Sequence, residues 1–246
     1  MRRTPRIVAV GGGGLRRRAT LRIDAEVVRL TGKKRPRVLF VPTATGDDDA
    51  YTEAFVRRYA GQLGCRVEVL RLFKARPGRR RRSELILGSD LVYVGGGNTF
   101  RMVRLWRRLG VDRLLRRAAE QGIVLAGTSA GGICWFRHGH SDSRCKPGRD
   151  WDYIRVGGLG LVDALFCPHY HEEKREASLD RMLRRRGGVA VACDRDAAIE
   201  IVGKRWRVIT STRAARAYKL FRRRGEVVRQ RLAADGSFRP LCELLA

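Results

Sequence analysis

Five short apolar runs, each stopped by glycine, threonine or a turn, punctuate the first half of the chain: PRIVAVGGGG from residue 5, PRVLFVPTAT from 36, CRVEVLRLF from 65, DLVYVGGGNTF from 90 and GIVLAGTSAGG from 122. Their length and β-branched content predict buried strands. Between the second and third lies DDDAYTEAFVRRYAGQLG, where Phe55, Tyr59 and Leu63 recur at helical spacing behind acidic residues suited to a helix start. Between the fourth and fifth, TFRMVRLWRRLGVDRLLRRAAEQG carries Met102, Leu105, Trp106 and Leu109 on one face and Leu114, Leu115 and Ala118 on another. Strands alternating with helices predict an α/β fold, a mostly parallel sheet flanked by helices. Working loops in such sheets lie beyond the carboxyl ends of the strands, and Gly11–Gly14, Gly95–Gly97 and Gly127–Gly132 all fall there. Beyond residue 160 the runs LVDALFCPHY, GGVAVACDRDAAIEIVGKRWRVITS and RAYKLF predict antiparallel strands closing the sheet near the C-terminus.

At 246 residues, without a Pro/Ser-rich linker, the chain reads as one hydrolytic domain over 1–246. No apolar run approaches the roughly 18 residues of a membrane span. The opening arginines precede only four apolar residues, so they read as the approach to a first strand in a cytoplasmic protein. Six scattered cysteines without a C-x-x-C pair fit a reducing compartment. Charge alters the picture more: 53 Lys and Arg against 25 Asp and Glu leave a net +28. Much of it lies in arginine runs on the wet faces of predicted amphipathic helices. Nucleic acid is therefore a conceivable partner but not the favoured one, because no aromatic residues interleave the basic runs.

The chemistry concentrates in IVLAGTSAGGICWF. Gly127-Thr128-Ser129-Ala130-Gly131 has the G-x-S-x-G form in which glycines allow a tight strand-to-helix turn, exposing the serine hydroxyl above free helix N–H groups. A turn whose serine merely caps the helix is the alternative. A nucleophilic serine needs a base, and the chain has four histidines: His138, His140, His169 and His171. His169, just past an apolar run and a proline, should emerge at a strand end near Ser129. His138 and His140 are expected at the end of the serine's own helix, pointing away. The two H-x-H pairs with Asp142 also allow a metal reading, which gives no reason for the elbow. For the group that orients the imidazole, Asp142, Glu172 and Glu173 stay open. The loop at Gly95–Gly97 can offer backbone N–H groups to a substrate, with Asn98 and Thr99 beside it as candidate substrate contacts. It lacks the spacing of a nucleotide loop.

VGGGNTF, GTSAGG and the later CPHY together resemble the peptidase E family of serine peptidases, which includes the aspartyl dipeptidases and is related to the cyanophycinases. The resemblance spans most of residues 5–220. It implies a class I glutamine amidotransferase-like α/β fold, Ser129 as nucleophile and His169 as base. It also implies an acid in a T-D-S-like loop, which Ser141-Asp142-Ser143 matches approximately, whereas other members use a Glu. Arg175 is the approximate match to a basic group reading an acidic N-terminal residue. The absence of an elbow cysteine disfavours a glutamine amidotransferase.

The expected function is thus a serine peptidase of short peptides, with dipeptides carrying an acidic first residue as the expected substrates, needing no metal or organic cofactor. Ser129 would form an acyl-enzyme, His169 would carry the proton, and the oxyanion would rest on the N–H of Ala130 and one from Gly96 or Gly97. Asp142 is the first choice for the third group and Glu173 the alternative. Rival classes are an inert amidotransferase-like binding or regulatory module and a nucleic-acid-binding protein. The oligomeric state is left open.

Overall fold

The structure is a computed structural model and describes residues 4–14, 20–145 and 153–246. The five apolar runs form strands β1 (Arg6–Val10), β2 (Arg37–Val41), β3 (Arg66–Val69), β4 (Leu91–Val94) and β5 (Val124–Thr128). They pair in parallel in the order β1-β5-β4-β2-β3, which brings their glycine-ended tips to one edge. Alternate residues serve opposite faces: Ile7, Leu39, Val92 and Leu125 enter one apolar cluster, and Val8, Phe40, Tyr93 and Val124 the other. Both faces are therefore buried, as the continuous apolar runs require.

Helices α1 (Leu21–Arg29), α2 (Asp49–Val56), α3 (Arg79–Leu87), α4 (Thr99–Leu109) and α5 (Val111–Glu120) lie between these strands. The predicted 99–122 helical stretch is two helices because Gly110 adopts φ 71°, a left-handed turn that glycine takes without steric penalty. That break explains the two apolar faces. Four of the arginine runs lie on or beside α3, α4, α5 and the later α7 (Glu176–Arg186); the fifth enters a strand hairpin. Among the described residues no helix is long and apolar enough to cross a membrane.

Past β5 the structure departs from expectation in three ways. The helix opened at the elbow, α6 (Ala130–Ile133), is one short turn, and His138 and His140 lie on a strand, β6 (Phe136–Ser141), not at a helix end. Gly139 makes this possible, because a Cβ there would stand 2.1 Å from Ile133 Cγ2, so the strand backbone packs directly on α6. Second, β6 belongs to a separate sheet with β7 (Ile154–Gly157), β8 (Val162–Cys167) and β9 (Val189–Cys193), so the later strands do not simply close the first sheet. Third, β8 runs parallel to both β6 and β9 instead of antiparallel, with α7 supplying the crossover that parallel strands need. Antiparallel pairing holds for β10 (Ala197–Val202) and β11 (Arg205–Thr210), which extend the first sheet beside β1. It also holds for β12 (Ala217–Arg223) and β13 (Glu226–Leu232) in the second.

The contact between Gly139 and α6 gives a test of the fold. Gly139→Ala should lower unfolding stability by about 1–3 kcal/mol through overpacking against the stiff Ile133 side chain, and Ile133→Ala should be less harmful in that background than alone. Urea unfolding measures both, and an unchanged midpoint for Gly139→Ala would contradict the close approach.

Candidate active site

Ser129 occupies the turn between β5 and α6 with φ 53° and ψ −114°, a backbone conformation that L-residues rarely adopt. Its surroundings explain how the turn is held. A Cβ on Gly131 would lie 2.1 Å from the Val94 carbonyl oxygen, and one on Gly127 would lie 2.4 Å from the Gly131 oxygen. Glycine at both places lets the elbow close onto the end of β4. The Ser129 N–H donates to Val10 O at 3.0 Å, hanging the elbow from the tip of β1. Gly96 presses against the serine from the neighbouring loop, where a Cβ would stand 3.3 Å from Ser129 Cβ. The serine remains half-exposed.

His169 follows β8 by two residues and reaches the same edge from the other sheet. Its N–H donates to Gly11 O at 3.0 Å, one residue beyond the carbonyl that holds Ser129. Its imidazole lies over Gly12, where a Cβ would come within 2.2 Å of Cε1 and 2.4 Å of Nδ1. Like Ser129 it has a positive φ, 51°. Burial, and then the positive charges of Arg175 and Arg195, push its pKa down to about 4 against the opposing pull of Asp142. The ring is therefore neutral at pH 7.

The turn after His169 carries Glu173 back beneath it, with the Glu173 N–H donating to His169 O at 3.2 Å and Glu173 Oε1 standing 4.0 Å from His169 Nδ1. The other Glu173 oxygen accepts from Arg175 Nε at 2.9 Å and from its Nη2. Arg175 is 2 % exposed, donates from Nη1 to His140 O at 2.8 Å, and stacks over Tyr153.

Residues 7–209 match peptidase family S51. The chain belongs to that family. Over 225 residues this S51 peptidase is 33% identical to the uncharacterized peptidase YgaJ of Bacillus subtilis (strain 168), covering 90% of this chain and 94% of that one. The probable alpha-aspartyl dipeptidase of Drosophila melanogaster is 26% identical over 192 residues, 74% of this chain and 75% of the relative. A solved peptidase from an acI-B1 actinobacterium has the same fold, with a TM-score of 0.75 over 96% of this chain and 97% of that one, at 20% identity. The expectation of a serine peptidase holds at the level of the family.

Other expected site residues of the S51 peptidase have varied placements. Ala130 opens α6, so its N–H is one of the first-turn donors that intrahelical bonding leaves open. Gly96 N–H meets the Tyr51 hydroxyl at 3.3 Å, and Gly97 has φ 128° with no room for a Cβ against Ala44 O. Asn98 and Thr99, expected as substrate contacts, are used within the protein. Asn98 caps α4 through Arg101 N–H and donates to Ser143 O at 3.0 Å, and Thr99 is buried against Ser141. Arg175 likewise, though expected to read substrate, is buried and committed to Glu173. Asp142 stands in the loop that Asn98 holds, near enough to act on His169 as a charge. Glu172 turns away to accept from Arg195 N–H at 2.9 Å, and His171 pairs with Asp194 at 2.7 Å. His140 is fully buried against Ser178, and His138 meets Arg155.

Two residues escaped the sequence reading. Tyr51 buttresses the Gly95–Gly97 loop, and burial holds its hydroxyl protonated with a pKa near 12. Its signal was present, since Tyr51, Phe55, Tyr59 and Leu63 repeat every fourth residue. Gly12, the seat of His169, had only its place in a glycine run to mark it.

Burial gives a pH test that needs no substrate. His169 should titrate near pH 4, and His140 near 3, in imidazole NMR spectra of the folded peptidase. Because unfolding frees both rings to take protons at the ordinary histidine pKa, stability should decline as pH falls from about 6.5 toward 4. A His169 midpoint at 6 or above would contradict the buried, neutral ring.

Proposed function

We propose that this S51 peptidase hydrolyses short peptides after an acidic first residue through an acyl-enzyme on Ser129. The observation that carries the reading is the joint anchoring of Ser129 and His169: both have strained, positive-φ backbones, and both hang from successive carbonyls at the tip of β1. In this reading His169 Nε2 takes the Ser129 hydroxyl proton as the oxygen attacks the scissile carbonyl, then returns it to the departing amine. The oxyanion is met by the N–H of Ala130 and that of Gly97, because the Gly96 N–H already donates to the Tyr51 hydroxyl. Water repeats the cycle to release the acid.

Glu173 is the better-supported orienting carboxylate. Its oxygen faces Nδ1 at 4.0 Å, longer than a hydrogen bond, and a small side-chain rotation in the substrate complex closes the gap. Asp142 contributes charge and lies in a loop tied to α4. Since Arg175 is buried, the acidic substrate group falls to another cation. Arg195 is exposed and acts electrostatically on His169, which supports it as that reader. The name of the alpha-aspartyl dipeptidase relative favours the same specificity.

Hydrolysis of Asp-Leu and Ala-Leu tests the reading. Ser129→Ala should lose several orders of magnitude in kcat, and retention of about a tenth or more would end the nucleophile role. Glu173→Gln should lower kcat much more than Asp142→Asn does, and the reverse order would return the orienting role to Asp142. Arg195→Gln should reduce kcat/KM for Asp-Leu by about 10- to 100-fold while changing Ala-Leu less than about threefold. Equal losses on both peptides would remove Arg195 as the reader.

A further inference from the structure

Beside the proposed site a groove of about 400 Å³ runs between α4 and β7. Its floor is apolar: Val103 and Val156 are buried, and Phe100 at the near end is 41% exposed. Its rim is cationic, with Arg104 and Arg107 from α4, Arg155 from β7 and Arg144 from the loop between β6 and β7. The Arg144 guanidinium sits 5.6 Å over the Phe100 ring, and Arg107 Nη2 lies 3.5 Å from where a Cβ on Gly157 would stand. Arg155 reaches His138 Nδ1 at 3.1 Å, and its buried Nε has no hydrogen-bond partner.

Among the described residues none of these four arginines pairs with a carboxylate, and none of those lining the groove is acidic. Four unpaired cations around an apolar floor repel one another and are matched by a ligand that brings negative charge on an apolar body. A second copy of this chain is a poor occupant, because it would bring a further +28 to a positive rim.

Position narrows the ligand. The near end abuts the Asp142 loop: Phe100 N–H donates to Ser143 Oγ at 3.1 Å, and Asn98 donates to Ser143 O. From Phe100 the groove follows α4 to Arg107, about 10 Å at 1.5 Å per residue. That length accommodates about three residues of extended peptide. Side chains of an extended chain alternate in direction, so apolar groups can face the floor while carboxylates meet the rim.

We propose that this groove is a subsite for an acidic, apolar-alternating peptide segment, selecting substrates about three residues longer than a dipeptide, with the extra residues downstream of the scissile bond. The direction rests on the reading that cleavage follows the first residue, since everything longer must then lie downstream.

Binding to the Ser129→Ala protein, measured by titration calorimetry without turnover, tests it. The probes are Asp-Leu-Glu-Leu-Glu and its neutral counterpart Asp-Leu-Gln-Leu-Gln amide. The acidic peptide should bind at least about 30-fold tighter, and Arg104→Gln with Arg155→Gln should remove most of that advantage while leaving the neutral peptide within about threefold. In the wild-type background the same pair should leave Asp-Leu hydrolysis within about twofold, because a dipeptide does not extend into the groove. As a control, Arg116→Gln with Arg117→Gln on α5 should have little effect. Equal affinity for the two peptides, or an equal loss in the α5 variant, would overturn the subsite in favour of a general positive field. A wild-type dimer in sedimentation that the groove variant dissolves would overturn it in favour of a contact between copies. Failure of the wild type to cleave Asp-Leu would count against the catalytic reading alone, because groove-dependent binding is read separately.

Discussion

The approach of one backbone to another at the tip of β4 governs the site. Between Gly131 and the Val94 carbonyl oxygen there is no room for a methyl group, and the same holds between Gly127 and Gly131. With glycine at both positions the chain turns straight from β5 into α6, and Ser129 at the apex is forced into its unusual backbone conformation. The hydrogen bond from Ser129 N–H to Val10 O then sets the elbow against the first strand. A strained serine persists only where its surroundings over-determine it, and three neighbouring strand tips do so here.

The second sheet matters because it delivers His169 to that edge. β8 is held between β6 and β9, and the chain leaving it meets the Gly11–Gly12 backbone. Glycine again governs the contact, since Gly12 provides the flat seat on which the imidazole rests. Neither sheet alone contains both Ser129 and His169. Their shared support is the end of β1, a strand central to the first sheet and adjacent in space to the end of β8.

Electrostatics at the site differs from that of the surface. Many surface cations meet carboxylates in exposed pairs, which contribute little to stability. Arg175, by contrast, is buried beside Glu173, Tyr153 and the His140 carbonyl. Desolvation of such a cation is expensive unless it is paired and hydrogen-bonded, and here it is both. The arrangement fixes Glu173 below His169, while burial and nearby positive charge keep His169 neutral.

The alternation of strands and helices, the elbow at Ser129 and the emergence of His169 after an apolar run were legible in the chain, because each depends on local spacing and on glycines in fixed relation to those runs. Even the aromatic stripe containing Tyr51 was written there. The division into two sheets, the parallel course of β8 and the strand conformation of His138 and His140 came from partners distant in sequence. A short apolar run carries no label for the strand it will pair with. The uses of Asn98, Thr99, Arg175 and Glu173 likewise depend on burial and on which groups meet across the fold. The family resemblance alone suggested Arg175 as a reader of substrate; in the fold it is enclosed by Glu173, His140 and Tyr153, because a guanidinium sealed from solvent satisfies its donors within the protein.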